Sequence, residues 1–84
     1  MYYVYAIKSY DRNYIYVGLT NDLHRRIKEH QKGYNKTTKA YRPFNLIYNE
    51  ELNTREEARR REKYLKSGVG KEFLKSLEIE NKPE

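Results

Sequence analysis

Two phenols, an arginine, a histidine and a glutamate stand at spacings that would let them meet at one phosphodiester: Tyr5, Tyr16, Arg26, His30 and Glu62. Hydrolysing such a bond needs a group to handle the proton of attacking water, and donors or cations to meet charge on the phosphate. A phenol titrates near pH ~10, and a neighbouring cation favours its phenolate, which can take a proton from water or position it. Tyr5 and Tyr16 can equally be strand-packing residues with their hydroxyls at a rim. His30, on an apolar helical stripe, can be a hydrogen-bonded core residue. Arg26, one turn earlier, argues for more, because a guanidinium buried beside a histidine costs desolvation unless an anion completes the site. An inward-facing Glu62 is just as costly alone. It fits either a salt bridge, with Arg26 the candidate partner, or a hard divalent cation. Magnesium is commonly held by one or two carboxylates, with water and substrate phosphate filling the remaining positions. The case rests on the set, and no single member carries it.

The elements that must position these residues are legible in the pattern. Residues 2–8, Y-Y-V-Y-A-I-K, are β-branched and aromatic and predict a strand. S-Y-D-R-N has turn composition, and residues 14–19, Y-I-Y-V-G-L, predict a second strand in an antiparallel hairpin. Alternation puts Tyr3, Tyr5 and Ile7 on one face, and Tyr14, Tyr16 and Gly18 on one face. Gly18, without a side chain, allows close approach of a ligand or backbone. Thr20 or Asn21 is the expected cap of a helix running to Lys32, which Gly33 ends. Its stripe carries Leu23, Ile27 and His30, with Arg26 at the border and Arg25 pointing elsewhere.

Residues 34–42 read as a polar, basic loop, and residues 43–52 as a third strand with Phe44, Leu46 and Tyr48 alternating against Asn45, Ile47 and Asn49. Thr54 and Glu57 make a capping box. The helix it opens is expected to reach Ser67, with Gly68 and Gly70 breaking it, and with Ala58, Glu62 and Leu65 facing inward. A short last helix, from Val69 to about Leu77, would pack through Phe73 and Leu77. These elements give one domain over residues 1–78, with residues 79–84 expected as a frayed tail.

Composition bounds the function. The 84 residues allow one modest core, and the absence of cysteine excludes disulfides and thiolate metal sites. The N-terminal apolar run is short and broken by Lys8, unlike a signal peptide, and no stretch reaches membrane-spanning length. The expectation is a cytoplasmic protein with no membrane partner. A net charge of +6 attracts polyanions, nucleic acid above all, although the same charge also serves solubility. Ten tyrosines against two phenylalanines and no tryptophan suit a core bordering a wet cleft.

The chain resembles the GIY-YIG nuclease domain, close to small stand-alone bacterial proteins related to the N-terminal domain of the bacterial excinuclease. Tyr3-Val4-Tyr5 stands at the first signature triplet and Tyr16-Val17-Gly18 at the second. Arg26, His30 and Glu62, the last within A-R-R-R-E-K-Y-L-K, follow in the family's order. The first triplet departs from the family in carrying Tyr3 for glycine, and both have valine at the middle position. The resemblance implies an α+β fold, a small three-stranded antiparallel sheet flanked by helices. It implies a single magnesium or manganese ion on Glu62, and Tyr5 activating or orienting water. His30 would accept or relay the proton, with Arg26 and Tyr16 meeting phosphate charge. Whether Tyr5 or His30 is the base stays open.

The resulting expectation is a metal-dependent DNA endonuclease of repair or processing, selective for structure over sequence. Lys36, Lys39, Arg42 and Lys71 are the candidate phosphate contacts, and a protein partner is a possible source of specificity. The alternative is a non-catalytic nucleic-acid-binding or scaffold module on the same fold. RNA is a lesser alternative substrate, and the oligomeric state stays open.

Overall fold

A computed structural model describes residues 1–80 of the chain. The elements follow in the order β1 (Tyr2–Ser9), β2 (Ile15–Thr20), α1 (Leu23–Lys32), β3 (Phe44–Leu52), α2 (Arg55–Lys66) and α3 (Gly68–Glu80), with one 3-10 turn at Lys39–Tyr41. The three strands are antiparallel in the order β2-β1-β3, so the first strand is central. That explains its near-continuous apolar run: Val4, Tyr5, Ala6 and Ile7 are all fully buried, because both faces of the strand are covered. On one face, Val4 and Ala6 join Val17, Ile47, Ala58, Leu65 and Leu74 under α2 and α3. On the other, Tyr5, Ile7 and Phe44 pack with Leu23 and Ile27 of α1.

Three expectations are corrected. Asp22, not Thr20 or Asn21, caps α1, its carboxylate accepting from the Arg25 amide at 3.1 Å. Thr20 instead accepts from the Asp22 amide at 3.1 Å, holding the turn that presents the cap. The strict alternation expected of β3 fails at a bulge: Ala6 pairs with Tyr48 but Ile7 with Leu46. Ile47 is the extra residue. Ile47 and Tyr48 therefore both pack in the α2–α3 core, while Phe44 stays on the α1 side.

The third correction concerns Gly68 and Gly70, which lie inside α3. Ser67 ends α2 in an extended conformation, and α3 starts at once. A Cβ on Gly70 would collide with the Tyr64 carbonyl oxygen and the Leu65 backbone, so this glycine lets α3 press against α2. The last helix buries Leu74 completely, with Phe73 and Leu77 at its flanks. It runs through Glu80; the rest of the expected tail, residues 81–84, lies outside the described residues. The capping box is as expected, the Glu57 amide donating to Thr54 Oγ1 at 3.2 Å. Among the described residues no helix is long and apolar enough to cross a membrane.

Candidate active site

Strand register builds the site. Tyr5 on β1 pairs with Gly18 on β2, so the two share a face. The Tyr5 ring lies over the bare glycine: a Cβ there would stand 2.5 Å from Tyr5 Oη and 2.9 Å from Tyr16 Cε2. Glycine at the end of the second triplet is thus a condition for placing both phenols. From α1, which covers this face, His30 is fully buried and its Nε2 is 2.8 Å from Tyr5 Oη. The Tyr16 ring centroid is 5.1 Å from that of His30 and 6.3 Å from that of Tyr5.

Thr38 is a member that sequence reasoning missed. It is fully buried, and its Oγ1 is 3.0 Å from His30 Nδ1. Asn35 folds the loop to bring it there, its Oδ1 accepting from the Thr37 amide at 2.8 Å and the Thr38 amide at 3.3 Å. The polar run Y-N-K-T-T-K has no periodicity to mark which threonine turns inward. An asparagine two and three residues ahead of paired threonines was the available signal.

Burial sets the protonation states. Desolvation pushes the Tyr5 phenol up to about 12, outweighing the Arg26 guanidinium beside it, and the nearby Glu62 carboxylate pushes the same way. Tyr5 is therefore a phenol at neutral pH, against the expectation that a neighbouring cation would favour the phenolate. Desolvation, helped by Arg26, lowers His30 to about 4, leaving a neutral imidazole. Arg26 is the half-buried arginine, with 29% of its side chain exposed against 63% for Arg25.

Tyr5, Tyr16, Arg26 and His30 are brought together. Glu62 is not joined to them: it stands on α2, which covers the opposite face of the sheet from Tyr5, and its link to the group is that its carboxylate favours the neutral Tyr5 phenol. The expected alternative pairing with Arg26 does not form. Arg26 pairs with Glu29 at 3.1 Å, and Glu62 Oε2 with Lys66 at 3.3 Å. Among the described residues no group of three or more acidic, histidine or cysteine side chains is placed to hold a metal ion. The donor set is a single carboxylate with one oxygen on a displaceable lysine, which fits a hard cation taking one protein ligand.

The basic candidates divide. Lys36 and Lys39 are exposed in the 34–42 segment. Arg42 directs Nε to the Lys39 carbonyl at 3.1 Å and Nη1 to the Lys32 carbonyl at 3.2 Å, closing the end of α1. Lys71 lines a groove beside β2. A cavity of about 760 Å³ lies along α1 by Tyr3, Leu23 and Lys28, and none of the five candidate residues lines it.

Residues 1–75 match the GIY-YIG catalytic domain. The chain belongs to the GIY-YIG family. This GIY-YIG chain is 42% identical over 82 residues to UPF0213 protein YazA of Bacillus subtilis, covering 96% of this chain and 80% of that protein. It is 38% identical over 78 residues to a UPF0213 protein of Staphylococcus haemolyticus, covering 92% and 94% of the two. The solution NMR structure of a UPF0213 protein from Bacillus halodurans is similar with a TM-score of 0.55 at 40% identity, covering 92% of this chain and 85% of that one. The α+β architecture expected from the two triplets is that of the solved relative.

Proposed function

We propose that this GIY-YIG chain is a divalent-metal-dependent endonuclease that hydrolyses DNA phosphodiester bonds by structure more than by sequence. The observation that carries the reading is the buried chain Tyr5–His30–Thr38, with links of 2.8 and 3.0 Å and Arg26 beside the phenol. Arg26 can only donate, so its guanidinium beside Tyr5 favours a phenol that turns its oxygen lone pairs towards it and its hydrogen away. The phenolic hydrogen is then free to point at His30 Nε2, which makes Nδ1 the protonated nitrogen, donating to Thr38.

In that arrangement Tyr5 is a relay, not a standing base. It takes the proton of the attacking water as it passes its own to His30 Nε2, leaving an imidazolium. A bound phosphate supplies the negative charge that makes this acceptable. The new P–O bond forms to the water oxygen as the bond to the leaving sugar oxygen breaks. Arg26 and Tyr16 meet the charge on the phosphate. Glu62 would hold a magnesium or manganese ion, which when bound supplies Lewis-acid stabilisation of that same charge. Lys36, Lys39, Arg42 and Lys71 are the candidate contacts to flanking phosphates, which position a substrate without reading its sequence.

The test is Glu62→Gln in a magnesium-dependent nicking assay on plasmid, flap and four-way DNA. Cutting should be abolished while the fold persists. The ion pair with Lys66 joins side chains 22% and 56% exposed, so its loss should cost no more than ~1 kcal/mol. A variant that cuts normally removes Glu62 from the reaction. A parent protein that cuts none of these DNAs with magnesium or manganese makes the chain a binding module.

A further inference from the structure

Beside the site, a groove of about 450 Å³ runs between β2 and the α2–α3 pair. β2 is an edge strand, pairing on one side with β1. Val17 and Leu74 contribute apolar lining, and Lys66, Lys71 and Lys75 bring three ammonium groups, with no acidic residue among the lining. Lys66 is paired with Glu62; Lys71 and Lys75 have no ion-pair partner among the described residues. Three like charges around one groove repel, a cost that a polyanion in the groove would reverse.

The fold fixes their arrangement. Leu74 is buried, and Gly70 seats α3 on α2, so the face of α3 carrying Lys71 and Lys75 is turned to β2. The two lysines are one helical turn apart, ~6 Å along the axis, comparable to the separation of neighbouring phosphates on one strand. Tyr16 lines this groove and also packs against His30, so this residue is shared between the groove and the candidate cluster. Lys66, another lining residue, is paired with Glu62.

We propose that this groove is the track for one DNA strand leaving the cut, with Lys71 and Lys75 each contacting a backbone phosphate. The proposal rests on the nuclease reading through Tyr16 and Glu62, and it names the path that reading leaves open. The rival role for these lysines is protection of the edge strand β2 from pairing with another sheet.

The experiment is binding of a fluorescent flap DNA to the chain, with chelator present, across a salt series. Lys71→Gln/Lys75→Gln should reduce the slope of log K against log salt by about 1.4–1.8, two phosphate contacts. Lys28→Gln/Lys32→Gln, on α1, should leave the slope unchanged. An unchanged slope for the first pair overturns the track, as does an equal loss for both pairs, which would mean diffuse attraction. Self-association of the first variant on size exclusion with its slope intact overturns it in favour of edge protection. Cleavage by the parent separates the two readings. A parent that cuts while the slope stays intact keeps the nuclease and loses the track. A parent that never cuts, with the slope lost as expected in Lys71→Gln/Lys75→Gln, keeps the track and loses the nuclease.

Discussion

The Thr38 hydroxyl is buried and meets the outer nitrogen of His30, so any effect it has on phosphodiester cleavage passes through that ring. On the proposed nuclease reading it is a positioning residue. Thr38→Val keeps the volume and removes the acceptor, leaving the Nδ1–H unsatisfied in a buried setting at ~1–3 kcal/mol. The ring can then adopt the other tautomer and point a hydrogen at Tyr5, closing the relay. Cleavage should fall ~10- to 100-fold, the range for partners that orient a histidine, and Thr38→Ser should restore most of it. Rates for the two variants at matched folded fraction check this; equal rates would reduce Thr38 to packing. Of the candidate site, Tyr5, Tyr16, Arg26 and His30, which the structure brings together, were legible because each is a reactive type at a periodic position; the same reading put Glu62 with them, and the structure places it on α2 across the sheet. Thr38 was not, because an irregular loop has no period to read.

Gly68 and Gly70 read alike in the sequence, as breakers between two helices. The structure distinguishes them by what faces each. Nothing lies within 4 Å of a Cβ built on Gly68, whereas one on Gly70 meets α2 backbone, which cannot step aside as a side chain can. Gly70→Ala should therefore cost ~2 kcal/mol by overpacking and lower Tm by ~10 °C. Gly68→Ala, in open helix, should leave Tm unchanged or raise it. Thermal melts of the two variants side by side check the contrast; equal shifts would contradict the packing of α3 on α2. The bulge in β3 illustrates the same limit. Alternation from Phe44 to Tyr48 is a good local rule, but the core under α2 needs both Ile47 and Tyr48, and tertiary demand overrides the period.

For the whole molecule, His30 makes stability depend on acid. Its imidazole is held near 4 in the folded chain, mainly by desolvation, against about 6.5 in an unfolded one. The unfolded state then binds more protons between these values. His30 contributes fully above pH ~6.5, and its contribution is lost as pH falls towards 4. The loss is on the order of 3 kcal/mol, a large share of the stability of a domain this small. Denaturant titrations from pH 7 to 4 should show a steep decline in the parent. His30→Asn should show a shallower one, even if it starts lower. Parallel declines would mean that the ring is not held neutral.

The two triplets, the candidate reactive residues, the succession of strands and helices and the cationic balance could be read from residue order alone. These rest on residue type and on periods of two and 3.6, which are local properties. Tertiary structure decided the rest. It paired Glu62 with Lys66 and Arg26 with Glu29, turned Thr38 under His30, and kept Tyr5 a phenol despite its guanidinium neighbour. Partner choice and desolvation depend on which side chains arrive together from distant segments and how much water they exclude. Neither quantity exists until β1 is covered on both faces.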